Sequence, residues 1–508
     1  MLKTFYISDL SLLKHRCEWD STHIEIPERL EKISEKLEDC GLLDQCERLE
    51  PRFAKEDEIL AVHSKEYFNK IKNSKGLNLD ELEDLSSQFE DMYLNEFSFD
   101  AAMKSAGCAL ELTEKVLNNP GSNGFAVIRP PGHHAAPNEG CGFCVFNNIA
   151  ICAKKARSMG LEKVLIIDWD VHAGQGTQYC IEDDSNIYLV SMHRYESGHF
   201  WPNLPESNIE NDYKQTLNVP LQRTGLGDAE YATFIDLLVR PIISDFQPEL
   251  ILVSCGYDAA FGDREGEMKV TPAGYGHLVG TLASLEIPLV VLLEGGYFLD
   301  AIPEDAFHTV KALIEREPTK LPLGFPSLGT VDEIFMKNLL TIMSKVQERF
   351  PTLKLLLEQF EHLTGNAVPI QEIQYTGERD FSLPFPTRGV YGDFPELNRF
   401  QETFHKQLLP QYLNPPKREI LEISSNDKTV FIKCNGNIVV SFTPNSRKSI
   451  RKHEVSFIFY FIYLPLSWQF ELNWRKLMDE ILKSHGEKES KLELPKCLNL
   501  LNSILLRF

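Results

Sequence analysis

The first two thirds of the chain carry short, uninterrupted apolar runs separated by longer stretches of helical periodicity. Residues 4–7, 125–128, 164–167, 187–190, 250–253 and 289–293 are dominated by Val, Ile, Leu and Phe. Continuous rather than alternating apolarity predicts strands covered on both faces. Between them, residues 101–117, 147–159, 229–243 and 272–284 carry helical patterns, the first rich in small residues that suit packing on a sheet. An earlier helix opens at Pro27-Glu28, with proline and an acid in its first turn and Leu30, Ile33 and Leu37 on one face. Residues 59–71 continue a helical pattern, and acid-rich 77–96 reads as a loop with a short helix. Strands alternating with helices predict an α/β protein with a parallel, right-handed, multi-layer sheet.

The pattern changes after about residue 325. Residues 331–363 read as amphipathic helix, with Ile334, Leu339, Ile342 and Val346 apolar. Residues 364–418 carry Pro and Gly with weak periodicity and read as linker. Residues 430–433 and 438–441 flank Asn435-Gly436, a hairpin signal. The expected division is 1–325, a helical connector and linker at 326–420, and a smaller α+β region at 421–508.

Composition narrows the class. The chain has 508 residues, more than one ordinary core holds, with 43% apolar and 25% charged residues. Its net charge of −22 argues against direct nucleic-acid binding and fits attraction of cationic substrates. Eleven cysteines spread thinly predict reduced thiols, hence a place in the cytoplasm or the nucleus. Lys3 and Asp9 leave no signal-peptide core at the start of the sequence. The most apolar run, 455–470, is broken by Pro465 and shorter than the ~20 residues of a membrane helix, so no membrane association is expected.

Polar clusters fall directly after the predicted strands. Asp168, Asp170 and His172 follow residues 164–167. Alternate residues of an extended chain point the same way, so the three project together at a strand end, where α/β sheets bind ligands. Asp170 and His172 supply two metal donors. Asp258, in Gly256-Tyr257-Asp258 after another strand, is the best third. Two carboxylates and one imidazole leave an open position, as catalytic Zn2+ needs, and Fe2+ would accept the same donors. His133 and His134 follow a further strand and suit proton transfer between water and a leaving amine. Asp168 is placed to hold one of these imidazoles and Gln175 the other. Tyr297 closes Glu294-Gly295-Gly296-Tyr297 and could donate to a developing oxyanion. Phe143 and Phe200-Trp201-Pro202 offer aromatic walls for a narrow tunnel.

Together these segments resemble the zinc-dependent histone deacetylase family. Residues 129–134, Gly142-Phe143-Cys144, 168–172, 256–258 and 294–297 stand in that family's order and approximate spacing over residues 1–325. Trp169, Gln175 and Phe146-Asn147-Asn148 resemble class IIb. The resemblance implies an arginase–deacetylase-like three-layer fold with a central, mostly parallel sheet. It implies one Zn2+ on Asp170, His172 and Asp258, an acid–base pair of His133 and His134 supported by Asp168, and Tyr297 polarising an acetyl carbonyl. Phe143, Gly142 and Trp201 would line the substrate channel. A structural K+ would sit among Asp168, Asp170, His172, Ser191 and Met192.

Within Gly262-Asp263-Arg264-Glu265-Gly266, Glu265 resembles the gatekeeper of the polyamine deacetylase branch, where peptide-lysine deacetylases carry an apolar residue. A carboxylate there would pair with the distant ammonium of an acetylated polyamine. The implied substrate is acetylpolyamine, with acetyl-lysine protein the alternative. Two departures stand out. Trp19 to Glu25 is shorter than that branch's Pro-Glu-x-Cys-Glu-like insert and lacks it, and Ala173 replaces a second histidine. Residues 464–471 faintly resemble the branch's degenerate second domain, which would make 421–508 a non-catalytic surface for protein partners. Two competing readings are a catalytically silent metal-bound scaffold and a guanidino hydrolase holding two manganese ions.

Overall fold

A computed structural model of the chain describes residues 2–321 and 331–364, with side chains to 358, and the strand residues 421–426, 429–434 and 437–442. The chain divides into two compact units, Met1–Pro416 and Lys417–Phe508. Apart from Thr364, which ends a helix, the linker read at 364–418 and the resemblance at 464–471 lie outside the described residues. In the second unit, Leu421–Asn426, Thr429–Cys434 and Asn437–Phe442 form an antiparallel sheet. Its last two strands are the hairpin expected at Asn435-Gly436, and its first strand was not anticipated.

The first unit is built on eight strands: β1 Thr4–Ile7, β2 Glu47–Arg48, β3 Asn123–Ala126, β4 Val164–Asp168, β5 Ile187–Arg194, β6 Thr216–Leu221, β7 Leu250–Cys255 and β8 Leu289–Leu293. They lie in the order β2-β1-β3-β8-β7-β4-β5-β6. Every neighbouring pair is parallel. The α/β expectation is met, and the cause is the composition of the central strands. Val164, Ile166, Leu252, Val253, Val290 and Leu292 are fully buried, each contributing about 1.5–3 kcal/mol of hydrophobic stabilisation.

Two strands escaped the sequence pattern because both are edges. β2 is two residues long and exposed. β6 carries Asn218 and Pro220, which only an edge strand tolerates, since proline cannot donate to a ladder. The helix expected across 229–243 is interrupted by a wide turn at Ile235–Val239, just before Pro241. Proline removes the helical donor and crowds the carbonyl four residues back, and the chain loosens to accommodate it. Pro351 likewise divides the helix read at 331–363 into Glu333–Val346 and Pro351–Thr364. Helices Gln175–Ile181 and Ile302–Glu315 were not anticipated.

Because the sheet is wholly parallel, the carboxyl ends of β3, β4, β5, β7 and β8 open on one rim. Central β8 lies between β3 and β7. The loop at 294–297 therefore sits between the loop carrying His133 and the loop carrying Asp258.

Candidate metal centre and catalytic pocket

Asp170, His172 and Asp258 come together although 86 residues separate the last two. Their donor atoms all lie within 4.8 Å of one another. His172 Nδ1 stands 3.2 Å from Asp170 Oδ1 and 3.1 Å from Asp258 Oδ2. The Val171 N–H donates to Asp258 Oδ1 at 2.8 Å and the Gly295 N–H to Asp170 Oδ2 at 3.0 Å, fixing both carboxylates. Gly295 is required by space, since a Cβ there would lie 2.4 Å from Asp258 Oδ2 and 2.6 Å from Asp170 Oδ2.

The donor set fits a divalent cation. Both acids are buried, and burial together with the Asp170 charge pushes Asp258 up to about 7. Two buried carboxylates beside one imidazole are costly without a counter-charge. Zn2+, which accepts nitrogen and oxygen donors, would balance them if held by Asp170, His172 and Asp258. A second group, His133, Cys144 and Glu294, is also close, but its donors are otherwise engaged. Glu294 Oε2 accepts the N–H groups of Gly132 at 2.7 Å and His133 at 3.2 Å, and burial holds the Cys144 thiol well above its ordinary value.

The tandem histidines adopt opposite electrostatic states. His133 Nδ1 lies 3.0 Å from Asp168 Oδ2, and His134 Nδ1 lies 2.7 Å from Gln175 Oε1, as the sequence led us to expect. Burial disfavours charge on His133, but Asp170 and then Asp168 outweigh it and raise it to about 10. Burial, reinforced by His133 and His172, holds His134 well below its usual value. Both accepting oxygens make each Nδ1 a donor, and His133 Nε2 stands 3.7 Å from Asp170 Oδ1. Neighbouring titratable groups pushed apart in this way suit one acid and one base.

Aromatic walls surround the cluster. The Phe143 and Tyr297 rings meet edge to face at 5.7 Å, Trp201 meets His134 at 4.6 Å, and Phe200 stacks on His172 at 5.1 Å. Gly142 stands beneath Trp201 and His134. Glu265 is half-buried in the loop after Asp258. Ser191 and Met192 are buried on β5, with Ser191 paired in register with Asp168.

Several supporting residues gave no local signal. Arg29 is buried and donates to the carbonyl oxygens of Gly296 at 2.6 Å and Glu294 at 2.5 Å, with its guanidinium 4.9 Å over the Tyr297 ring. Glu25 accepts from Arg29 Nη1 at 3.0 Å, from Arg129 Nε at 2.8 Å and from the Tyr93 hydroxyl at 2.6 Å. At the mouth, the carbonyls of Glu90 and Asp91 accept from Gly142 and Phe143, and Trp201 Nε1 donates to the Glu90 carboxylate at 2.9 Å. These acids lie in the stretch read only as loop and short helix. Nothing at 77–96 names residue 142 as the partner.

Burial alone would raise the Glu25 carboxyl, but Arg129 and then Arg29 outweigh it and hold it well below the usual range. Such a group contributes stability above its unfolded pKa, about 4.3, and loses that contribution as pH falls below it. Glu25→Gln leaves two buried guanidinium groups undercompensated and should cost about 3–5 kcal/mol near neutrality. Urea unfolding followed by circular dichroism should show that difference at pH 7 and its narrowing below about pH 4.3. Equal midpoints at pH 7 would refute it.

Comparisons with known proteins agree with this geometry. Residues 23–313 match the histone deacetylase domain family. The human protein named polyamine deacetylase HDAC10 is 43% identical over 309 residues, covering 59% of this chain and 46% of that protein. Its Danio rerio counterpart is 38% identical over 342 residues, 66% of this chain and 50% of that protein. Histone deacetylase clr3 of Schizosaccharomyces pombe is 36% identical over 315 residues, 59% and 46%. The chain thus spans about half the length of the curated relatives it matches. The crystal structure of the HDA15 HD domain superposes with a TM-score of 0.63 at 32% identity, covering 71% of this chain and 99% of that one. Sheet, rim and sequence agree on the arginase–deacetylase architecture, and the chain belongs to the histone deacetylase family.

Proposed function

We propose that the chain is an amide hydrolase that removes acetyl groups from amines, with acetylated polyamines as preferred substrates. The observation that carries it is the convergence on one rim of a three-donor metal site, an oppositely tuned histidine pair and a buried tyrosine. Zn2+ held by Asp170, His172 and Asp258 would supply Lewis acidity toward an amide carbonyl and a water. His134 Nε2 accepts a proton from water, while Gln175 holds the other face of the ring. The Tyr297 hydroxyl donates to the oxygen on which negative charge develops. A histidinium of the pair returns the proton to the departing amine, and acetate remains. Asp168 keeps His133 oriented through its Nδ1. Phe143, Phe200 and Trp201 exclude bulk water from the acetamide.

The polyamine preference is supported by Glu265, half-buried beyond Asp258, and by the acids Glu90 and Asp91, whose backbone carbonyls accept from Gly142 and Phe143. A second ammonium is attracted by these charges, whereas a neutral peptide gains nothing from them. The name of the human relative points the same way, and that of clr3 to acetylated protein. We also read Asp168, Asp170, His172, Ser191 and Met192 as a K+ site. Its support is the burial of the four of them on β4, β5 and the turn after β4, with His172 mostly covered.

Acetate release from N8-acetylspermidine and from an acetyl-lysine peptide tests the substrate. Polyamine turnover should dominate. Glu265→Leu should lower kcat/KM for the polyamine by about 10–100-fold, the worth of one desolvated charge pair, and raise it for the peptide. Peptide turnover alone, or a Leu variant matching the parent on both substrates, would overturn the polyamine reading and leave the acetyl-lysine one.

A further inference from the structure

We propose that Asp263 is a positioning residue that locks the loop carrying Glu265 to the segment carrying Tyr297. Its role in recognition rests on the deacetylase reading above, whereas the mechanical coupling of the two segments does not.

Asp263 is buried, 1% exposed. Its Oδ1 accepts the Glu265 N–H at 2.9 Å, and its Oδ2 accepts the N–H groups of Tyr297 at 2.7 Å and Phe298 at 3.1 Å. One carboxylate therefore satisfies three backbone donors in two segments that sequence places 34 residues apart. The contact is close as well as polar. Gly262 has φ +99, and a Cβ there would stand 2.5 Å from the Phe298 ring, so Phe298 seats directly on the glycine.

The other side of the loop is held too. The buried Arg194 donates from Nη1 to the carbonyls of Gly266 at 3.2 Å and Glu265 at 3.4 Å. Its guanidinium lies 4.2 Å over the Phe200 ring, which stacks on His172. The Glu265 backbone is thus fixed from two directions, and its side chain alone is left to meet a ligand. Asp263 reaches the acetamide only through Tyr297 and the distant ammonium only through Glu265. A carboxylate is needed because both oxygens must accept, and an amide offers one acceptor.

That asymmetry gives the test. In Asp263→Asn the amide oxygen turns to the two donors of Tyr297 and Phe298, and its NH2 faces the Glu265 N–H. Amide hydrogen exchange on the metal-loaded full chain should then show residues 259–270 exchanging about tenfold faster, with 293–301 as in the parent. KM for N8-acetylspermidine should rise about tenfold, while kcat, and turnover of a neutral acetyl-lysine peptide, stay within about twofold. Asp263→Ala loses both links, so both segments should exchange faster and kcat should fall on both substrates. Parent-like protection of both segments in the Ala variant would overturn the proposal. So would an Asn variant whose loss falls equally on both substrates through kcat. If the parent itself releases no acetate, the deacetylase reading fails, and exchange at the two segments still decides the coupling.

Discussion

Asp258→Asn should strip the divalent cation from the purified protein and lower acetate release by more than the ~100-fold typical of outer-sphere metal substitutions. Asp258 Oδ1 already holds the Val171 N–H and Oδ2 faces His172 Nδ1. The variant's amide keeps one of these contacts. With its oxygen on Val171, it presents NH2 where a negatively charged donor is needed, so the cation loses one of three protein ligands and much of its charge balance. The fold should survive, because the side chain is isosteric and the surrounding β4–β7 pairing does not depend on its charge. Metal content per chain by mass spectrometry, with urea unfolding as the control, checks this independently of turnover. A parent that holds one metal per chain and releases no more acetate than the variant would favour the silent-scaffold reading. Two manganese ions per parent chain would favour a guanidino hydrolase.

Tyr297→Phe should leave metal content and stability as in the parent and lower kcat by about 10²–10³, or ≈ 2.7–4 kcal/mol of lost oxyanion stabilisation. The substitution removes one hydroxyl and keeps the ring. The ring's contacts with Phe143 at 5.7 Å and beneath Arg29 at 4.9 Å survive. Burial pushes the Tyr297 phenol well above its ordinary value, so it remains a donor throughout the physiological range. The loss should therefore appear in kcat at every pH tested and hardly in KM, because the bond strengthens only as charge develops on the oxygen. A variant that raises KM and spares kcat would make Tyr297 a binding group instead.

Much of the site was legible before any fold was known. Asp168, Asp170 and His172 directly follow a continuous apolar run, and both the period of a strand and the fate of polar residues at its end are local rules. The same holds for Asp258 after β7 and for His133 and His134 beyond β3. Arg29 illustrates the opposite case. On its own helix, Glu28–Asp39, it looks like one more charged residue, yet it is buried and supports Tyr297 across the molecule. Asp263 stands in the charged run Asp263-Arg264-Glu265 and is almost fully enclosed. A charge is buried only where partners from elsewhere compensate it, and no local pattern names those partners.

The sequence by itself determined the α/β class, the positions of the central strands and the residue types waiting at their carboxyl ends. These follow from apolar runs, proline positions and helical periods, each read within a dozen residues. Only the tertiary structure decided that β8 lies between β3 and β7, bringing Tyr297 beside both the histidine pair and the acids. It also decided that Glu25, Arg29 and Asp263 hold that arrangement from behind. Strand order depends on which helices fill which face of the sheet, and that is a property of the whole packed core.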